Sequence, residues 1–296
     1  MSTATAPRSV GYSPREQLKA PPWHGLVGWD MLFNGLTTGL FLVTALGELV
    51  MPDVFLPVAR VAYPVALVLL VVDLVLLVLD LGDPWRFHHM MRVFKPQSPM
   101  SLGVWSLNAY AAALTVVVVL FFLPGGGALE WARLASVVLG LGPAFASAVY
   151  KGVLLSTSAQ PGWRDARWLG GYLSSGAAVL GCAEVVVLAY LTGHPRAAEV
   201  LRPALIVLQL VHVVPLALLS AELWPVLRRG FTPGQQGLAV ALVLVGGWLL
   251  PLGLVSIGGG VVAMVAAAVL IFAGNLAARF ILVRLPHQSA YNPGHP

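Results

Sequence analysis

Between Val65 and Leu79 a single residue, Asp73, interrupts an otherwise apolar run. Such a run is too long for a strand and too apolar for a helix with one face in water. It therefore restricts the chain to helices that cross a lipid bilayer, which need about 20 mostly apolar residues each. Eight stretches fit that description: 26–50, 58–80, 100–123, 134–158, 168–192, 201–223, 237–255 and 257–283. Outer-membrane barrel strands would instead appear as alternating segments of about 10 residues. Only 10% of the 296 residues are charged and 58% are hydrophobic, against roughly 25% charged in soluble domains. A water-soluble enzyme and a disordered chain are both excluded. The expected fold is all-α: a polytopic membrane protein of eight transmembrane helices, arranged as two four-helix bundles.

The separators are turn chemistry: Gly125-Gly126-Gly127, Gly193-His194-Pro195 and Thr232-Pro233-Gly234. Residues 1–25, rich in proline, form a polar arm rather than a cleaved signal, residues 26–284 the membrane domain and residues 285–296 a tail. An even number of spans puts both termini on one side. Thirteen of the 17 Lys and Arg fall there, and only Arg60, Arg133, Arg196 and Arg202 fall opposite. The positive-inside rule then sets the termini in the cytoplasm. The net charge of +5 follows from this bias and requires no nucleic acid. A lone cysteine, Cys182, excludes a disulfide framework, a Cys-based zinc site and an iron–sulfur cluster held by this chain alone.

Ionisable groups inside a bilayer are costly and mark candidate sites. Asp73 and Asp80 are seven residues apart in the second span, about 10 Å along one face. Asp30 and Asn34 share a face of the first span at i and i+4, beside Gly35 and Gly39, whose spacing lets helices approach closely. Glu184 and His212 are further candidates for proton transfer; Glu222 is expected to snorkel beside Arg228, and Glu48 to lie near the far interface. Only His212 lies well inside a span, so a bis-histidine haem is not expected, nor is any other metal. The loop from Asp80 to Ser101 holds Trp85, Arg86, His88, His89, Arg92 and Lys95. This mix of cations, imidazoles and aromatic planes suits the head of a quinol, and would equally suit an anionic lipid head. Seven of nine tryptophans, Trp85 and Trp163 among them, sit near the same basic face. With Arg92 and Lys95 they are expected to dock another subunit.

Three motifs, in order and at the right depths, resemble the polysulfide reductase membrane-subunit family, also called NrfD/PsrC. They are Leu79-Asp80-Leu81-Gly82-Asp83-Pro84-Trp85-Arg86-Phe87-His88-His89 leading into Ser98-Pro99-Met100-Ser101-Leu102-Gly103-Val104-Trp105; Gly35-Leu36-Thr37-Thr38-Gly39; and Tyr150-Lys151-Gly152-Val153-Leu154-Leu155-Ser156 with Pro161 and Trp163 following. The resemblance implies a haem-free subunit of the bacterial cytoplasmic (inner) membrane that binds menaquinone or ubiquinone. It also implies a four-cluster iron–sulfur ferredoxin-like partner and a molybdenum or tungsten catalytic subunit, which would carry the clusters and the molybdopterin. Tyr150 matches the family's quinone-contacting tyrosine, and Asp73 and Asp80 match acidic positions. The implied quinone site is Tyr150 with Arg86, His88 and His89, and Asp30 and Asn34 added on helical geometry; Asp80 or a loop histidine would take the proton. Alternatives are a quinone-linked proton-translocating subunit using Asp73, Glu184 and His212, a passive anchor, or a secondary transporter, whose inverted repeat and broken helices are missing.

Overall fold

The computed structural model describes residues 25–290 apart from 161 and 259. The expected polar arm lies outside the described residues but for its last position, as does the end of the expected tail. Eight helices are long and apolar enough to cross a membrane. We label them α1 (Gly25–Val50), α2 (Pro52–Leu79), α3 (Pro99–Phe122), α4 (Gly127–Ser156), α5 (Leu169–Leu191), α6 (Pro195–Gly230), α7 (Pro233–Ile257) and α8 (Gly260–Ala290). Their outward surfaces carry exposed Val and Leu, as in Val68, Val71 and Val75 of α2, which is the pattern lipid requires. The side on which α1 begins and α8 ends is called the near face below.

Several helix boundaries differ from the expected ones. α2 begins at Pro52 rather than 58: Pro52 sits at the first helical position, where proline costs little, and the helix carries Pro57 inside it. A single residue, Met51, joins α1 to α2. α4 begins at Gly127, seven residues early, so Glu130 and Arg133 are helical. α6 runs through Pro203, Pro215 and Pro225 for 36 residues, about 54 Å, well over the roughly 30 Å of a hydrocarbon core. α8 continues to Ala290, past the boundary expected at 284.

α1–α4 pack on one another, as do α5–α8, and the halves meet chiefly along α1 and α5. The meeting point is set by glycine. A Cβ on Gly39 would lie 2.0 Å from the Ala177 carbonyl oxygen, and one on Gly181 would lie 2.0 Å from the Gly39 carbonyl carbon. Two backbones in contact leave room for no side chain, so the Gly35/Gly39 motif is a crossing point in packing terms. α1 and α5 are the most buried spans, and polar side chains on them face protein rather than lipid.

Candidate functional site: a buried ion cluster at the near face

On α1 the i, i+4 spacing turns Asp30 and Asn34 towards α2 and α4. Lys151 of α4 reaches into the same space. Its Nζ lies 2.8 Å from Asp30 Oδ1 and 3.1 Å from Asp73 Oδ1, and donates to the Asp30 carbonyl oxygen at 3.1 Å. Asn34 Nδ2 donates to the other oxygen of Asp73 at 3.1 Å and to Ser147 Oγ at 3.0 Å. All five side chains are buried, Asp73 and Ser147 completely. One ammonium between two carboxylates leaves the trio a net charge of −1 when both acids are ionised. Buried charges must be paired, and here one ammonium is shared between two carboxylates.

Tyr150 precedes Lys151, its ring centroid 5.7 Å from Nζ. The ring rests on Gly103 of α3, where a Cβ would come within 2.0 Å of Tyr150 Cδ2. Gly103 of the first motif is thus the seat of the tyrosine of the third, which ties two distant sequence signals to one contact.

Polar groups continue along the same side of α1. Thr37 Oγ1 donates to the Ala66 carbonyl at 2.7 Å and lies 2.8 Å from the Tyr110 hydroxyl. Phe41 follows, with ring centroids 5.3 Å from Tyr110 and 5.7 Å from Tyr63. Beyond it Glu48 accepts from the Tyr63 hydroxyl at 2.7 Å and pairs with Arg133 at 2.6 Å. Arg133 also pairs with the exposed Glu130 at 2.8 Å and lies over the Phe121 ring at 4.1 Å. α1 therefore carries two polar clusters, one towards each end of the helix, with Phe41 between them. Glu48 stands towards the far face, as expected.

The remaining expected residues are dispersed. Arg86, His88 and His89 lie on a short, exposed 3-10 helix, Pro84–Met91, where Arg86 pairs with Asp83 at 3.0 Å. No hydrogen bond or ion pair among the described residues joins them to the ion cluster. Asp80 caps α2, outside the cluster that holds Asp73. Trp85 is 86% exposed, and Arg92 and Lys95 are also exposed. Trp163 is a correction: it is fully buried, with Nε1 donating to the Leu282 carbonyl at 2.7 Å, so it locks the α4–α5 loop to α8 and offers no surface for docking. Glu222 is half-buried and accepts from the Trp168 backbone N–H at 3.2 Å. Glu184 has one carboxyl oxygen without a partner among the described residues.

His212 belongs to a second buried polar group. Its Nδ1 lies 2.7 Å from Ser175 Oγ, and its ring stands 5.1 Å from that of Tyr172. Across Gly176, Asn275 Oδ1 accepts from Arg279 Nη1 at 2.7 Å. Arg279 is fully buried. No hydrogen bond or ion pair among the described residues joins the expected stations Asp73, Glu184 and His212 to one another. Sequence reading missed the roles of Lys151, Arg133, Asn275 and Arg279; for the last two the signal was present, a polar pair at i, i+4 inside an apolar span. Among the described residues no group of three or more His, Cys, Asp and Glu could hold a metal ion.

A model of the family described as polysulphide reductase, NrfD, matches residues 15–286. No curated protein matches the chain.

Proposed function

Since the chain belongs to the polysulphide reductase NrfD family, we propose that this membrane subunit binds a quinone or quinol at the near-face cluster and exchanges electrons with an iron–sulfur partner. The observation that carries the reading is Lys151 held between Asp30 and Asp73 beside Tyr150. The donor set fits a quinone head. A quinone ring presents two carbonyl oxygens, for which the Tyr150 phenol is a suitable donor, while the three N–H groups of Lys151 are taken by Asp30 and Asp73; the quinone exchanges two electrons and two protons. Tyr150 holds and orients the head through its hydroxyl. Lys151 offsets negative charge that develops on the head, and Asp30 or Asp73 accepts a proton at its carboxylate. Burial among α1, α2 and α4 keeps bulk water away from that proton. A neutral head and a buried, net-anionic acceptor are compatible because no charge needs to enter from the lipid side.

The exposed near-face loop, with Trp85, Arg92 and Lys95, supports the partner assignment: a ferredoxin-like subunit with four clusters, followed by a molybdenum or tungsten catalytic subunit. Aromatic and basic groups in water are the usual anchors of such contacts. Arg86, His88 and His89 join this docking surface in our reading rather than the quinone contacts. A second reading, quinone-linked proton translocation, is favoured by the polar side of α1, which runs from Asp30 to Glu48.

The test is Tyr150→Phe in the assembled complex. One hydrogen bond is worth about 0.5–1.5 kcal/mol net, so quinol turnover should fall by roughly threefold to tenfold, or more if the bond strengthens during oxidation. Activity of the complex with an artificial dye should be unchanged. Wild-type quinol kinetics in that variant would move the site elsewhere.

A further inference from the structure

A cavity of about 380 Å³ lies between α6, α7 and α8, apart from the ion cluster. Its origin is a crossing. α7 and α8 touch at Gly247 and Gly274, where a Cβ on Gly274 would lie 2.2 Å from the Gly247 Cα. The cavity occupies the near-face side of that crossing, walled by residues 235–244 of α7 and 277–284 of α8. α7 is the least buried of the eight spans and is π-helical over Ala241–Leu249, with no buried residue in that segment. Protein alone leaves this helix poorly packed.

The walls are apolar, aliphatic at Leu216, Leu242 and Ile281 and aromatic at Trp224, Phe231 and Phe280. Gln235, Gln236 and Arg284 stand at the near-face end. From Gln235 to Leu244 is nine residues, about 13 Å, and from Ala277 to Arg284 is seven, about 10 Å. A single leaflet of hydrocarbon is about 15 Å deep, so the cavity has the reach of one lipid chain. Arg284 is the sole charged residue of the lining, is exposed and makes no ion pair among the described residues. Two more cations, Arg228 and Arg229, end α6 on the same face. A groove with an apolar interior and a cationic rim, and no acid in its lining, is complementary to an amphiphile with an anionic head.

We propose that this cavity holds an acyl chain of one anionic phospholipid, with its phosphate at Arg284 and the amides of Gln235 and Gln236. The lipid is a wedge. It fills the space that the Gly247–Gly274 crossing opens, and it ties α7 to α6, which α7 otherwise touches little. The proposal is independent of where the quinone binds, because the ion cluster lies on α1, α2 and α4.

The test is native mass spectrometry of the purified full chain, released from bilayers of equal phosphatidylglycerol and phosphatidylcholine. One phospholipid should remain bound, phosphatidylglycerol in about fivefold preference, the effect of one arginine near a membrane surface. Arg284→Gln should bring the two lipids close to parity. Ala239→Trp, which places an indole in the cavity from α7, should remove the bound lipid altogether. Equal retention of the two lipids by the wild type would overturn the proposal. So would quinone retained in place of phospholipid and lost with Ala239→Trp, or lipid retention unaffected by Ala239→Trp.

Discussion

Asp73 shows what a single residue in the wrong solvent can reveal. An acid in an apolar run is conspicuous, and the structure gives it two donors, Lys151 and Asn34. Asp73→Asn leaves Asp30 as the counter-ion of Lys151 and keeps an oxygen for the Asn34 amide. The complex should therefore assemble, while quinol-linked turnover falls at least several-fold because one proton acceptor is gone. Steady-state quinol kinetics on a complex shown intact by its subunit ratio check this; unchanged turnover would leave Asp73 a purely structural partner. Asp30, Asn34 and Asp73 were legible because helical spacing and burial cost are local properties. Lys151 was not. Five residues from the end of α4, it reads as a long side chain reaching for the headgroups. Only the packing of α1 against α4, with Asp73 of α2 within reach, turns it inward. Trp163 erred in the opposite sense, since a loop tryptophan looks like an anchor until the chain folds back over it.

At the scale of elements, all eight spans were legible and their ends less so. Hydropathy reports what lies in lipid, whereas α6 extends beyond it at 36 residues. The contacts between helices depend on glycines whose partners the sequence does not name. Gly39→Val would push a branched side chain into the Ala177 carbonyl, and α1 and α5 would have to part. Overpacking of this kind costs about 1–3 kcal/mol, and here more, since the obstacle is backbone. The variant should melt at a lower temperature in detergent and lose its partner subunits. A melting curve that overlays the wild type would show that α1 and α5 do not cross at Gly39.

For the whole molecule, the thirteen-to-four bias of basic residues leads us to propose a cytoplasmic near face. A fluorescent protein fused after Pro296 should then fold and fluoresce, and an alkaline phosphatase fused there should stay inactive; active phosphatase would reverse the orientation and make the basic surface a feature of an exported partner. The wall between the two polar clusters of α1 has an electrical meaning whichever way the chain faces. The Phe41 ring, packed against the rings of Tyr63 and Tyr110, stands between one ion cluster and the other and carries no group that could hold a charge. A proton carried from the near-face cluster to Glu48 would have to pass the Phe41 ring, and would gain or lose on the way a share of the roughly 2.3 kcal/mol per 100 mV that a full crossing is worth.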